Sequence, residues 1–132
     1  MVHVLIVDDS AFSQKVTAHL LKEVWPNEDL KISFAANGED GLREFRTQQP
    51  DYIFIDLLMP KMSGADLIRI VQREGNPGII VVTADVQKSV REEMKAQNIM
   101  AFVNKPLNRE KMRLLCDRMI RNDKNESGML SL

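Results

Sequence analysis

The sequence predicts an α/β fold, namely a doubly wound five-stranded parallel sheet with five helices. Short apolar runs alternate with helix-like segments along the 132 residues, which is the pattern of repeated βα units. Four of the five runs are almost continuously apolar, as expected for strands covered by helices on both faces. In sheets of this kind, ligands bind beyond the carboxyl ends of the strands.

The five apolar runs are the predicted strands. The second run, residues 30–34, alternates between apolar and polar side chains, so one of its faces can reach water. That pattern suits a strand at the edge of the sheet. The four continuous runs are residues 3–7, 52–55, 79–82 and 100–103.

The first two predicted helices follow residues that can cap a helix N-terminus. Ser10 precedes the first helix, Pro26 ends it, and Asn37 precedes the second. Apolar residues of the first helix recur every four positions and are expected to face the core, at Phe12, Val16, Leu20 and Val24. Those of the second helix are Leu42 and Phe45.

The third to fifth predicted helices carry charged residues between their apolar positions. The third spans about residues 64–74 and ends where residues 75–78, Gly-Asn-Pro-Gly, break the chain. Asn108 can cap the fifth. The residues expected to face the core are Leu67, Ile68 and Val71 in the third helix, Val86, Val90 and Met94 in the fourth, and Met112, Leu115, Met119 and Ile120 in the fifth.

Residues 122–132 are predicted to be a polar C-terminal tail. The tail begins Asn-Asp-Lys-Asn-Glu-Ser-Gly, which is polar and has neither helical nor strand periodicity. It is too short for a second domain, so we expect one domain, residues 1–121, followed by a frayed tail.

Composition and charge restrict the classes of function. The net charge is −1, so bulk electrostatics favour neither nucleic acid nor an anionic membrane. Cys116 is the only cysteine, which excludes an intrachain disulfide, and its helical setting predicts a buried apolar role. No apolar run approaches the roughly 20 residues of a membrane span, and no secretory signal begins the chain. We therefore expect a cytoplasmic protein without direct nucleic-acid or membrane contact.

Carboxylates follow two of the predicted strands. Asp8 and Asp9 end the first run, and Asp56 ends the third. Because the carboxyl ends of parallel strands share one edge of the sheet, the three side chains should lie close together. Burying paired carboxylates without a cation is costly, and Mg²⁺ prefers oxygen ligands. The sequence therefore predicts a Mg²⁺ site at Asp8, Asp9 and Asp56. Capping of the first helix is the alternative role of the adjacent pair.

Phosphoryl chemistry fits these residues, with Asp56 as the nucleophile that forms an aspartyl phosphate. Pro60 shapes a tight loop after Asp56. Lys105, after the last strand, can pair with the acceptor carboxylate and then with a phosphoryl oxygen, and Thr83 can donate a hydroxyl hydrogen bond to that oxygen. A cis bond before Pro106 would turn Lys105 inward. The alternatives are a surface aspartate, a solvated lysine and an ordinary strand-ending threonine.

Together these residues resemble the receiver domain of two-component response regulators, the family of the chemotaxis regulator. The resemblance covers residues 3 to about 121 and rests on Asp8-Asp9, Asp56 with Met59-Pro60 and Gly64, Thr83-Ala84, and Phe102 ahead of Lys105-Pro106. It implies a flavodoxin-like fold with strand order 2-1-3-4-5. It also implies that the backbone carbonyl of Leu58 is a further Mg²⁺ ligand.

The resemblance implies a function in phosphorelay signal transduction. Asp56 would take a phosphoryl group from a histidine kinase or a histidine phosphotransfer protein, and Thr83 and Lys105 would bind that group. Phe102 would swing inward behind Thr83, which would remodel the face formed by the fourth helix, fifth strand and fifth helix. A downstream protein would bind this face of a stand-alone regulator, either as a monomer or as a dimer formed on phosphorylation. Such a phosphoprotein catalyses only its own phosphorylation and dephosphorylation, so it is not an enzyme in the usual sense.

Three positions depart from the common pattern of the family. Phe102 stands where tyrosine is frequent, and Ser63 stands where aspartate or asparagine is often found. Leu58, two residues after the acceptor, lacks a polar group that could orient an attacking water molecule.

Other functions remain open. A phosphate sink, or an interaction module independent of phosphorylation, would have the same fold. A phosphatase of the haloacid dehalogenase type needs an Asp-x-Asp pattern after the first strand, whereas this strand ends Asp8-Asp9-Ser10. Neither glycine-rich nucleotide-binding motif occurs.

Overall fold

The computed structural model of the protein describes residues 1–122, 124 and 128–132. The strands in this part of the chain are β1 (Val2–Val7), β2 (Leu30–Ala35), β3 (Tyr52–Ile55), β4 (Gly78–Thr83), β5 (Ala101–Asn104) and β6 (Leu130–Ser131). The helices are α1 (Ala11–Val24), α2 (Gly38–Gln48), α3 (Gly64–Glu74), α4 (Lys88–Ala96) and α5 (Arg109–Ile120).

All described strands form one parallel sheet in the order β2-β1-β3-β4-β5-β6. This confirms the α/β fold class and the order expected for the first five strands, with β2 at an edge. The sixth strand was not predicted, and it lies in the segment expected to be a frayed tail. Residues 123 and 125–127, which belong to the polar start of that tail, lie outside the described residues.

The core consists of two apolar layers, one on each face of the sheet. Alternation along β1 directs Val4 and Ile6 to the cluster under α1 and α5, and Leu5 and Val7 to the cluster under α2 and α3. Strands buried on both faces explain why β1 and β3 to β5 read as continuous apolar runs. Among the described residues, no helix combines the length and apolar character needed to span a bilayer.

The buried face of α1 agrees only in part with the predicted stripe, because Leu20 and Val24 pack against the core cluster but Phe12 does not. Thr17, Ala18 and Leu21 are buried, whereas Phe12 is 77% exposed. A strict four-residue spacing overshoots the helical turn of 3.6 residues by about 40° at each step, so the predicted stripe rotates around the helix. Spacings that alternate between three and four residues stay on one face.

The third and second helices bury the residues predicted, but two other positions were predicted wrongly. Val86 precedes α4 and is exposed, because the helix begins only at Lys88. Ile120 is also exposed, since it lies one position beyond the stripe that continues from Cys116 to Met119. Cys116 is buried as predicted, and burial raises the pKa of its thiol to about 12.

Two neighbouring leucines on α5 provide a matched test of this packing. Leu115 is fully buried and Leu114 is 48% exposed. We expect Leu115→Ala to lower the free energy of unfolding by about 2–5 kcal/mol, because it leaves a cavity in the core. Leu114→Ala should change it by no more than about 0.5 kcal/mol. Urea denaturation of both variants measures the difference, and equal losses would show that the packing of α5 is described incorrectly.

Candidate functional site

Three carboxylates meet where β1 and β3 end. The parallel register pairs Val7 with Ile55, so the next residues, Asp8 and Asp56, leave the sheet side by side. One carboxylate oxygen from each of Asp8, Asp9 and Asp56 lies within 4.8 Å of the others. Asp8 and Asp56 are buried, and Asp9 is exposed. The structure thus brings together the three residues that the sequence predicts as a metal site.

Lys105 joins two of these carboxylates. Its Nζ atom lies 2.9 Å from Asp56 Oδ2 and 3.1 Å from Asp8 Oδ2. Burial alone would lower the pKa of the Lys105 ammonium, but the hydrogen bonds and charges of Asp56 and Asp8 outweigh it and raise that pKa. The ammonium therefore stays charged throughout the physiological range and forms the positive centre of the site.

The chemistry of the donor set fits Mg²⁺. The three carboxylates carry three negative charges and Lys105 carries one positive charge, so the cluster retains an excess of two negative charges. A divalent cation balances this excess, and carboxylate oxygens are ligands that Mg²⁺ prefers. Asp8, Asp9 and Asp56 would hold it. Coordination by the Leu58 carbonyl remains a prediction.

Backbone hydrogen bonds orient the two buried carboxylates. Ser10 N donates to Asp8 Oδ1 at 2.9 Å, and Leu58 N donates to Asp56 Oδ1 at 3.1 Å. Both bonds run from the residue two positions further along the chain, as in turns closed by aspartate side chains. Each carboxylate therefore keeps one oxygen on a backbone N–H and the other on Lys105.

Gly64 allows the loop after Asp56 to fold back on the strand. A Cβ atom at position 64 would lie only 2.5 Å from the Asp56 carbonyl oxygen and 2.7 Å from Leu57 Cα. Gly64 N donates to Leu57 O at 3.2 Å and closes the loop. The loop that contains exposed Pro60 thus depends on a residue without a side chain, which gives Gly64 a physical role in the site.

Thr83 and Lys105 are linked across adjacent strand ends. Lys105 N donates to Thr83 O at 2.9 Å, and the Lys105–Pro106 peptide bond is cis. The Thr83 hydroxyl accepts a hydrogen bond from Asp85 N at 3.2 Å. Because Val81 pairs with Ile55, buried Thr83 lies one residue beyond the level of Asp56. Its hydroxyl is therefore at the same end of the sheet as the acid cluster.

Phe102 packs inward. Its side chain is almost fully buried between the sheet and α4, and the Arg91 guanidinium lies 5.7 Å from the centre of its ring. The Phe102 side chain thus occupies the inward position that was expected of a switch residue. Its movement between an outward and this inward position remains a prediction.

Sequence reasoning missed two features of the site. Gln14 Nε2 donates to Asp8 O at 2.8 Å and to Ala35 O at 3.2 Å, so it ties α1 to two strand ends. A single polar residue on a helix has no periodic signal that would reveal this role. The second feature is an apolar groove beside Lys105, lined among others by Phe12, Val16 and Val82.

Comparison with protein families gives one match over most of the chain. The family model described as the response regulator receiver domain matches residues 4–117. An uncharacterized response regulatory protein of Vibrio cholerae is 30% identical over 124 residues, which is 94% of this chain and 51% of that protein. A protein-glutamate methylesterase/protein-glutamine glutaminase of Koribacter versatilis is 35% identical over 101 residues, 76% of this chain and 27% of that protein. The chain thus spans about a quarter to a half of the length of these relatives.

Solved structures with a similar fold include chemotaxis proteins. The chemotaxis protein CheY4 of Vibrio cholerae has a TM-score of 0.78 and 26% identity, covering 89% of this chain and 98% of that chain. CheY in a complex of CheX, CheY, beryllofluoride and Mg²⁺ from Borrelia burgdorferi has a TM-score of 0.78 and 27% identity. That match covers 91% of this chain and 89% of that chain.

Mg²⁺ binding can be tested through stability. A ligand that binds only the folded state stabilises it by RT ln(1 + [L]/Kd), about 2.7 kcal/mol at 100 times Kd. We expect Mg²⁺ to raise the urea midpoint of the wild type and of Asp29→Asn, which removes an exposed carboxylate far along the chain from the cluster. Asp9→Asn should lose most of the effect. Equal stabilisation of Asp9→Asn and wild type would exclude Asp9 as a ligand.

Proposed function

This chain belongs to the family of response regulator receiver domains, and on that basis we propose that it accepts a phosphoryl group on Asp56 and thereby switches a protein-binding face. The observation that carries the proposal is the position of Lys105, whose ammonium contacts Asp56 and Asp8 within a cluster that also contains Asp9. The donor would be a phosphohistidine on a histidine kinase or a histidine phosphotransfer protein.

The phosphoryl transfer follows from the charges at the site. A carboxylate oxygen of Asp56 attacks phosphorus, an O–P bond forms, and the N–P bond of the donor breaks with its electron pair retained by the imidazole. Bound Mg²⁺ supplies positive charge that reduces repulsion between the carboxylate and the anionic donor. Once Asp56 is phosphorylated, the Lys105 ammonium is free to pair with a phosphoryl oxygen. The result is an aspartyl phosphate held by the end of β5.

Thr83 and Lys105, acting together with a bound Mg²⁺, could supply the energy of a switch. Changing a population from 1:99 to 99:1 requires about 5.5 kcal/mol of differential stabilisation. One hydrogen bond to a charged group contributes roughly 1.5–3 kcal/mol, so one contact is insufficient. The backbone hydrogen bond between Lys105 N and Thr83 O holds the ends of β5 and β4 together, which supports the proposal that both side chains reach the same phosphoryl group.

The apolar groove beside Lys105 is the proposed contact for the phosphodonor. The donor histidine has to reach Asp56 from the carboxyl end of the sheet, and this groove flanks that end. Phe12, one of its lining residues, is largely exposed, so the groove offers apolar surface that a donor protein could cover.

The output is proposed to pass through the face of α4, β5 and α5. The Borrelia burgdorferi structure shows a related CheY in complex with another protein, CheX. For this chain, the downstream partner, the cytoplasmic location and the stand-alone action are parts of the proposal. The curated relatives are longer than this chain, so their whole-protein functions do not transfer to it directly. The methylesterase activity in some of their names belongs to those proteins.

Acetyl phosphate labelling tests the acceptor. With Mg²⁺ present, we expect wild type to gain the mass of one phosphoryl group and Asp56→Asn to gain none, because an amide is not a nucleophile for this reaction. Asp66→Asn, which changes an exposed aspartate at the start of α3, should label like wild type. Intact-protein mass spectrometry measures all three. An unlabelled wild type would favour an interaction module that works without phosphorylation.

The lifetime of the phosphoryl group should depend on Leu58. This side chain is 55% exposed beside Asp56 and has no group that can orient a water molecule. We expect Leu58→Asn to shorten the half-life of the aspartyl phosphate by the order of tenfold, which corresponds to about 1.4 kcal/mol of barrier. Leu58→Ala is the matched control, since it removes bulk without adding a polar group. Release of inorganic phosphate measures the rates, and equal half-lives for the two variants would reject this role.

A further inference from the structure

We propose that the C-terminal segment 128–132 is an intramolecular cap on the output face, which occupies the edge of β5 and excludes a partner until it is displaced. The functional meaning of the cap rests on the output face proposed above. The cap itself is visible as β6, which extends the sheet beyond β5.

The cap is held by backbone hydrogen bonds along β5. Leu130 N donates to Met100 O at 3.0 Å, Leu132 N donates to Phe102 O at 2.9 Å, and Asn104 N donates to Leu132 O at 3.3 Å. These bonds use carbonyl and amide groups that an edge strand otherwise presents to other chains. A sheet edge pairs with one strand at a time, so a partner that adds a strand to β5 has to compete with the cap.

The side chains of the cap match the two layers of the core. Leu130 and Leu132 pack against the cluster under α1 and α5, while Met129 packs against the opposite cluster, which includes Phe102. This alternation is that of a strand between two covering layers. The cap therefore covers apolar surface on both sides of β5, in addition to its backbone.

Two residues position the start of the cap. Gly128 has φ +81°, a conformation that disfavours side chains. Arg118 on α5 is buried, and its guanidinium donates a hydrogen bond to the Gly128 carbonyl oxygen. The glycine turn, the hydrogen bond from Arg118 and the apolar residues that pack on both layers together favour a docked strand at residues 128–132.

The cap is connected to the phosphoacceptor site through two adjacent residues at the end of β5. Asn104 N donates a hydrogen bond to Leu132 O, and the residue after Asn104, Lys105, contacts Asp56 through its side chain. Phe102 pairs with Val81 on one side and with Ser131 on the other. Because the cap is tethered to α5, its effective concentration at β5 is of the order of millimolar, and a free partner has to compete against that concentration.

A peptide competition experiment tests the cap in the unphosphorylated full chain. The probe is a synthetic peptide with the sequence of residues 128–132, titrated into ¹⁵N-labelled protein. Leu130→Ser combined with Leu132→Ser should release the cap, and Gly128→Val should release it by straining the turn instead. Ser131→Asn is the matched control, because Ser131 is exposed on the same strand. NMR follows the amide signals of Phe102 and Asn104.

If the cap closes the edge, the peptide shifts these amide signals in both released variants, at concentrations at least roughly tenfold lower than in wild type or Ser131→Asn. Equal titrations in all four proteins would overturn the proposal. Rapid solvent exchange of the Asn104 amide would show that a variant has lost the cap. If the peptide did not bind such a variant, the proposal would also be overturned. Protection of the Leu132 amide that appears only in a concentration-dependent dimer would assign the strand to a second copy and overturn the intramolecular cap.

The outcome is independent of the phosphoacceptor proposal, since no phosphoryl donor or Mg²⁺ takes part in the titration. Failure of the peptide test would leave Asp56 labelling unaffected. If Asp56 failed to be labelled, the peptide titration would still show whether the cap occupies the β5 edge.

Discussion

The ion pairs of one lysine with two buried carboxylates are the interaction on which this site depends. Asp8 and Asp56 lie at adjacent strand ends, where their mutual repulsion and loss of hydration oppose folding. The Lys105 ammonium offsets part of that cost by contacting both carboxylates. It leaves enough negative charge to attract a divalent cation. A site built in this way has its own counter-ion in the absence of a ligand and still favours additional positive charge.

The same lysine connects the site to the far edge of the sheet. Its backbone N–H is bonded to Thr83 on β4, and its neighbour Asn104 is bonded to Leu132 in the cap. A phosphoryl group that paired with the Lys105 ammonium would therefore act at the end of β5, the strand that pairs with β6. If both proposals hold, phosphorylation and partner access would meet on one short strand, and the output face would have two separate controls.

Local sequence patterns predicted much of the fold, and each error of that prediction has an identifiable physical cause. The continuous apolar runs correctly predicted buried parallel strands, and alternation in β2 correctly predicted an edge. Phe12 was wrongly assigned to the core because a four-residue spacing drifts around a helix, whereas Leu20 and Val24 of the same stripe do pack against the core. Strand β6 was missed because its two residues follow a polar stretch, although the alternation from Met129 to Leu132 was a usable signal.

By itself, the sequence determined the order of the strands and helices and which polar residues follow which strands, because these depend on the spacing of residues along the chain. That information was enough to predict a cluster of Asp8, Asp9 and Asp56 with Lys105. Only the tertiary structure decided that Lys105 contacts Asp8 as well as Asp56, and that the chain's own C-terminal segment covers β5. These contacts join residues far apart in sequence, and their distances depend on the register of the sheet and the packing of the helices.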